Sequence, residues 1–301
     1  MIAAIIVTYN QIEDLKKCIS SVQNQTSSVN EIVVVNNGSS DGTAEWLNSQ
    51  PQLTVITQEN RGSSGGQNTG INYAYKKKFD WIWCLDQDVF PSPDALEQLI
   101  NSKAIKESEI GFLSSFVSDP KGTPAYINLP YIRENKDVLD AIKEIDELQV
   151  MSSSFGSVLF SRKAIEAAGL PIREFFIWGD DVEYTMRIIE KGFKGYLIKN
   201  SKAVHNIDLN VKDPFPYMDP EQFKTQYAIR NTLYIIKLRN KVFFNSRFRG
   251  FAGCFLFLSR LLINRYKRGF PGFKYHFKIL KYFFSGLIFS PRRKIQTAAD
   301  E

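Results

Sequence analysis

Trp81-Ile82-Trp83-Cys84-Leu85-Asp86-Gln87-Asp88 is an apolar run of strand character that stops at two carboxylates. Residues two apart on an extended chain point the same way, so Asp86 and Asp88 face one site if strand geometry reaches that far. Two like charges held together call for something positive between them. A hard divalent cation, Mg2+ or Mn2+, suits the role because it takes few protein carboxylates and completes its shell with water and phosphate oxygens. Taken alone, the pair also fits a solvated strand end, since short motifs are loose. The sequence around it shifts that balance.

Upstream, buried-strand runs alternate with helical patterns. Ile2 to Val7, Glu31 to Val35 and Leu53 to Ile56 read as strands. Between them, Leu15, Cys18, Ile19 and Val22 fall at helical spacing, and Ser39-Ser40-Asp41-Gly42-Thr43 supplies N-cap chemistry for a helix carrying Trp46 and Leu47. A glycine-rich loop and a helix through Ile71, Tyr73 and Ala74 lead back to Trp81. Near-continuous apolar strands separated by helices predict an α/β fold with a Rossmann-like, mostly parallel sheet covered on both faces. Ligands in such sheets bind outside the carboxyl ends of the strands.

Those ends carry Thr8-Tyr9-Asn10, Asn36-Asn37-Gly38-Ser39, Asn60-Arg61-Gly62-Ser63-Ser64-Gly65-Gly66-Gln67-Asn68 and Asp86-Gln87-Asp88. All four are polar. The third lets backbone approach a diphosphate or sugar at a helix N-terminus. It matches neither GxGxxG nor GxxxxGK[ST], so dinucleotide and Walker-type sites are not supported.

Downstream, Ser92-Pro93 opens a helix with Leu96, Leu99 and Ile100, and Ile110 to Val117 reads as a strand. From Ser118 to about Leu148 the pattern dissolves into prolines and charges, as in a long binding loop or a mobile segment. Val150 to Phe160 is small and apolar around Gly156, and a helix at Arg162 to Ala168 stops at Gly169. The second cluster of chemistry is Phe175-Phe176-Ile177-Trp178-Gly179-Asp180-Asp181-Val182-Glu183-Tyr184. Asp180 and Asp181 fall in the first turn of a helix, where negative charge complements the dipole. Adjacent helical residues point about 100° apart, so one can cap while the other faces a site. Gly195 to Ile198 reads as a strand, and His205 acquires a role if it reaches Asp88.

The 301 residues are 44% hydrophobic, enough for one large domain or a domain with an appendage. Net charge is +6, with the excess towards the C-terminus, which suggests an anionic surface and not nucleic acid. Cys18, Cys84 and Cys254 lie far apart with no CxxC, which argues against a disulfide framework or zinc cluster. Met1 leads straight into a strand without a basic leader, so a cytoplasmic location is expected. After about Pro220, phenylalanines and leucines mix with Arg247, Arg249, Arg260, Arg265, Lys267 and Arg268, and the mixture recurs from Phe273 to Phe289. The longest apolar run is interrupted by Arg260 and falls short of the ~20 residues of a spanning helix. Basic amphipathic helices lying in the headgroup region fit this pattern, and so does packing of the same faces onto a catalytic domain.

In order, Ile6-Val7-Thr8-Tyr9-Asn10, Val35-Asn36-Asn37-Gly38-Ser39 with Asp41-Gly42-Thr43, Asn60-Arg61-Gly62 to Gly66-Gln67-Asn68-Thr69-Gly70, Asp86-Gln87-Asp88, Trp178 to Tyr184 with Arg187 and Gly192, and His205-Asn206 resemble the inverting family 2 glycosyltransferases of GT-A fold. The set spans about residues 1 to 206 and is far more specific than any member of it. Within the family the chain resembles bacterial rhamnosyltransferases and galactofuranosyltransferases of surface polysaccharides.

The resemblance implies roles. Thr8, Tyr9, Asn10, Asn36 and Asp41 would line the base and ribose, although many relatives carry Asp where this chain has Asn36. Arg61, Gly62 and Asn68 would approach diphosphate and sugar, and Asp86 the ribose or donor sugar. Asp88 and His205 would hold Mn2+ or Mg2+, Asp181 would be the general base, and Trp178, Gly179 and Asp180 would meet the acceptor. The donor would be dTDP-rhamnose or UDP-galactofuranose and the acceptor a lipid-linked glycan at the inner face of the cell membrane. Residues 1–220 would form the catalytic domain, with about 1–100 for the nucleotide sugar and 110–220 for the acceptor and base; residues 221–301 would associate with membrane. Two alternatives stay open: a sugar nucleotidyltransferase, which lacks its phosphate loop after Val7, and an inactive sugar-binding protein of the same fold.

Overall fold

Near-continuous apolar strands fold as expected in the computed structural model, which describes residues 1–133, 137–208, 210–212, 222–244, 246–267 and 273–291. The first half is β1 (Ile2–Thr8), α1 (Ile12–Gln23), β2 (Glu31–Asn36), α2 (Thr43–Asn48), β3 (Thr54–Thr57), α3 (Gly62–Lys76) and β4 (Trp81–Asp86). The order β3-β2-β1-β4 is parallel throughout. Alternation sends Ala3, Ile5, Ile82 and Cys84 to the face covered by Ile71 and Ala74 of α3. Ala4, Ile6, Trp83 and Leu85 go to the face covered by Leu15, Cys18, Ile19 and Val22 of α1. Each buried valine, leucine or isoleucine among them contributes about 1.5–3 kcal/mol by leaving water, and both faces of the strands collect it.

The second half is β5 (Val89–Pro91), α4 (Ala95–Ile100), β6 (Ile110–Ser118), α5 (Val138–Glu144), β7 (Glu147–Val150), β8 (Val158–Ser161), α6 (Arg162–Ala168), α7 (Asp180–Glu190) and β9 (Lys194–His205). β8 runs antiparallel between β4 and β6, whereas β6 and β9 are parallel. Parallel pairings carry most of the paired residues, so the sheet is mostly parallel and the fold mixed α/β. A register shift between Ser115 and Phe116 interrupts the β6–β9 pairing, and beyond it the end of β9 also pairs with β5, Val89 opposite His205. Strand geometry does not carry Asp86 and Asp88 on one continuous extended run. The chain turns at Gln87-Asp88 so that β5 can pair with β9. Within the stretch 118–148, which shows no periodicity, Tyr126–Asn128 forms a short 3-10 turn and α5 and β7 follow.

Three further helices close the chain: α8 (Phe223–Phe244), α9 (Arg247–Lys267) and α10 (Phe273–Ile288). Ile229, Leu233, Cys254, Leu261, Ile279 and Phe283 form their shared core. Ile235 and Leu238 of α8 pack with Phe175 and Met186, tying the helices to α7. The other faces leave Phe248, Leu256 and Ile288 exposed at 84%, 71% and 83%. Among the described residues no helix is long and apolar enough to cross a membrane. The boundary expected near residue 220 lies outside the described residues, as does Arg268.

Candidate active site

A cleft of about 1380 Å³ opens at the carboxyl edge of the parallel strands and continues to α8 and α9. It is lined by Thr8, Tyr9, Asn10, Gly62, Asp86, Asp88, Trp178, Gly179, Asp180, Asp181 and His205. Asn36, Asp41, Arg61 and Asn68 do not line it. Asn36 Oδ1 accepts from Ser39 N at 3.1 Å and shapes the turn after β2. The Asp41 carboxylate accepts from Ile12 N and from the Thr43 hydroxyl, holding the starts of α1 and α2 together. Those bonds keep its carboxyl below the usual range, against a desolvation effect that raises it. The Arg61 guanidinium pairs with Glu59 at 3.1 Å. Asn68 donates to the Pro171 carbonyl and accepts from Arg173 Nε, both at 2.7 Å.

Two side chains outside the expected set organise the nucleotide-side loops. Gln87, between the aspartates, accepts the Thr8 hydroxyl at 2.5 Å and Tyr9 N at 2.9 Å, and its amide donates to Gln11 Oε1. Buried Asn37 donates to the Gly62 carbonyl at 2.9 Å and accepts from Arg61 N and Gln58 Nε2. Asn10 takes φ +53° and accepts Ser40 N at 2.7 Å. Gly62 takes φ +70°, and a Cβ there would lie 1.9 Å from the Phe176 carbonyl oxygen, so only glycine fits.

The carboxylates meet at the centre. His205 Nε2 lies 3.5 Å from Asp88 Oδ1, and its Nδ1 lies 2.8 Å from Asn128 Oδ1. Asn128 in turn donates to the Ser154 hydroxyl, which fixes its amide orientation. Burial pushes the Asp86 carboxyl up to about 7; Asp88 and Asp181 act in the same direction and His205 opposes them. Asp181 rises to about 6 through burial, against hydrogen bonds from the Val182, Asp181 and Phe155 backbones. Asp180 is buried, one oxygen has no partner, and desolvation with the neighbouring Asp181 charge drives its carboxyl well above the ordinary range. Such perturbed acids in a cleft are what proton-transfer chemistry requires.

Asp181 is aimed by a bent loop. Phe176 has φ +62° and ψ −62°, and Ile177 N bonds the Phe175 carbonyl at 2.7 Å, which makes a tight γ-turn. Trp178 and Gly179 follow at φ +68° and +80°, and α7 begins at once. Glu183 and Arg187 form a buried pair further along α7, with Arg187 also bonding the Ala168 and Leu170 carbonyls, so the helix carrying Asp181 is anchored in the core.

Solved structures share this architecture. GalNAc-T7 with UDP, GalNAc and Mn2+ aligns over 78% of this chain and 48% of its own, with TM-score 0.59 and 14% identity. Staphylococcus aureus TarS 1-349 in complex with UDP aligns over 91% and 72%, with TM-score 0.55 and 13% identity. The fold is GT-A, and the protein is a glycosyltransferase. The chain belongs to glycosyl transferase family 2, whose model matches residues 3–168. Galactofuranosyltransferase GlfT1 of Mycolicibacterium smegmatis is 24% identical over 80% of this chain and 82% of its own length. GlfT1 of Mycobacterium tuberculosis is 28% identical over 63% of this chain and 64% of its own length. Poly-beta-1,6-N-acetyl-D-glucosamine synthase of Staphylococcus aureus is 30% identical over 48% of this chain and 32% of its own length. Membership of this family sets aside the nucleotidyltransferase alternative. Asp180, Asp181 and His205 lie beyond the matched residues, so their part in the site rests on the geometry above.

Proposed function

We propose that the protein is an inverting, divalent-metal-dependent glycosyltransferase that moves galactofuranose from its UDP donor to a lipid-linked glycan of a bacterial surface polysaccharide. It would work at the inner face of the cell membrane. The observation that carries this reading is the single cleft joining Asp88 and His205 at the sheet edge to Asp181 at the start of α7. Galactofuranosyltransferase relatives favour this sugar over the other candidate donor, dTDP-rhamnose.

The cleft is larger than the ~300–1,000 Å³ of a single small-ligand pocket, which suits two sugars held together. Among the described residues no group of three or more His, Cys, Asp or Glu forms a metal cage. Asp88 and His205 nevertheless fit a cation that takes its remaining oxygens from diphosphate and water, because the Asn128 bond leaves His205 Nε2 facing Asp88. Such a cation, when bound, neutralises charge on the departing diphosphate. The protein's own residues do the rest. Thr8, Tyr9 and Gly62 border the nucleotide side. Asp181 takes the proton of the acceptor hydroxyl as that oxygen bonds the anomeric carbon. The carbon–oxygen bond to diphosphate breaks on the opposite face, its electron pair leaving with the phosphate, and the single displacement inverts the centre.

Residues 1–220 are proposed as the catalytic part and 221–301 as the membrane-associating part. The exposed apolar faces of α9 and α10 beside their basic residues support a peripheral position in the headgroup region. The test is donor hydrolysis with Mn2+ or Mg2+, UDP-galactofuranose against dTDP-rhamnose. Turnover of UDP-galactofuranose, lost in Asp181→Asn, is expected. Turnover of dTDP-rhamnose alone would reassign the donor, and turnover of neither would count against the reading.

A further inference from the structure

The loop that delivers Asp181 is held from an element outside the nucleotide-binding sheet. Asn231 of α8 is 1% exposed, and its Nδ2 lies within hydrogen-bond distance of three loop carbonyls: Phe175 O at 2.9 Å, Ile177 O at 3.0 Å and Trp178 O at 2.8 Å. Its Oδ1 accepts from Arg230 Nε at 3.0 Å, and Arg230 also donates to the Glu174 carbonyl. An amide has two hydrogens, so at least one is shared between acceptors. These carbonyls converge because Phe176, Trp178 and Gly179 all have positive φ, a conformation that large side chains adopt at a cost of roughly 1–3 kcal/mol each. Without the amide, the partly buried Ile177 and Trp178 carbonyls would lose a partner, at up to about 1–3 kcal/mol apiece, while Phe175 O would keep Ile177 N and Arg230, and the loop would relax. On its opposite side the loop already touches α3: Ser64 N donates to the Phe176 carbonyl at 3.2 Å. The loop is therefore set between two helices, and α7 with Asp181 starts directly from it.

We infer that Asn231 is a positioning residue for sugar transfer: it clamps the strained Phe175–Gly179 loop and thereby fixes Asp181 against the acceptor hydroxyl. The inference rests on the proposed role of Asp181. It makes α8 part of the catalytic apparatus and not a mere link to the membrane-facing helices. A side chain that does not itself line the cleft can matter this much because a displacement of about 1 Å at a reacting group costs on the order of a hundredfold in rate.

The test uses the full chain with Asn231→Asp, which when ionised has the same shape but no donors, and Asn231→Ser, which keeps one. Hydrogen exchange and donor hydrolysis are measured together. In Asn231→Asp the amides of residues 176–182 are expected to exchange about tenfold faster while β1 and β4 stay protected. The kcat is expected to fall by about a hundredfold at unchanged donor KM, with Asn231→Ser between the two. A merely structural role would lower the melting temperature without this split between kcat and KM. Unchanged loop exchange overturns the clamp; faster loop exchange with wild-type kcat overturns the positioning role. If wild type turns over neither donor, the proposed function fails on that result, and loop exchange alone still decides whether Asn231 holds the loop.

Discussion

His205 Nε2 and Asp88 Oδ1 stand 3.5 Å apart because β5 and β9 pair antiparallel with Val89 opposite His205. The ring is oriented from behind by Asn128, whose oxygen lies 2.8 Å from Nδ1. That bond places the ring proton on Nδ1 and leaves the Nε2 lone pair towards Asp88, as a metal ligand needs. In the presence of UDP, Mn2+ titration followed by electron paramagnetic resonance should show His205→Ala and Asp88→Ala binding far more weakly than wild type. Asn128→Ala should lose about 10–100-fold, the usual effect of removing a group that orients a ligand. Equal affinity in all four proteins would remove the metal from this site.

Half of this arrangement was legible in the sequence, for a physical reason. Buried parallel strands are apolar throughout, so Ile2–Thr8, Glu31–Asn36 and Trp81–Asp86 announce themselves, and the polar loops at their ends follow. The mates of those loops were not legible. Gln87, Asn37, Asn128 and Asn231 are ordinary amides whose importance lies in partners distant along the chain, and no periodicity marks them. Asn36, the last residue of β2, shows the converse: the family resemblance implies a nucleotide contact there, while its side chain bonds Ser39 N. The C-terminal helices carry an amphipathic pattern, yet the pattern alone does not tell a face that packs on α7 from one that faces outward.

Asp181 should set the acid limb of activity. With its carboxyl raised to about 6, the base is protonated below that pH, so donor hydrolysis should fall as pH drops through about 6. The same shift bears on stability. Folding raises this pKa, so between the ordinary carboxylate value and about 6 the folded state binds more protons than the unfolded one, and its stability falls as pH rises. Asp181→Asn removes the effect and should be more stable to unfolding than wild type at pH 7.5, by on the order of 3 kcal/mol, and melt higher there. Near pH 4 the two should melt alike. A variant less stable than wild type at pH 7.5 would show that the carboxylate is not held against its preferred ionisation.

The outward faces of the terminal helices make a prediction about location. Phe248 and Phe255 on α9 and Phe284 on α10 are all more than half exposed. Replacing the three with Ser should weaken binding to anionic liposomes by on the order of a thousandfold or more, since each buried phenylalanine is worth about 1.5–3 kcal/mol. Their exposure predicts little change in melting temperature. No flotation by wild type, or equal flotation by the variant, would return these helices to a purely structural role.

Gly62 and Gly42 separate backbone conformation from crowding. Both have positive φ, +70° and +88°, but a Cβ at Gly42 meets nothing within 4 Å, whereas at Gly62 it would lie 1.9 Å from the Phe176 carbonyl oxygen. Gly42→Ala should therefore cost only the left-handed penalty, about 1–2 kcal/mol. Gly62→Ala must also push the Phe176 carbonyl away from Ser64 N, on the same loop whose other carbonyls are bound by Asn231. Its cost should exceed about 4 kcal/mol, or else appear as a loop displaced enough to lose donor turnover. Thermal melts of the two variants beside their hydrolysis rates decide the matter. Equal melting temperatures with equal turnover would mean that the Phe175–Gly179 loop yields freely and does not fix the position of Asp181.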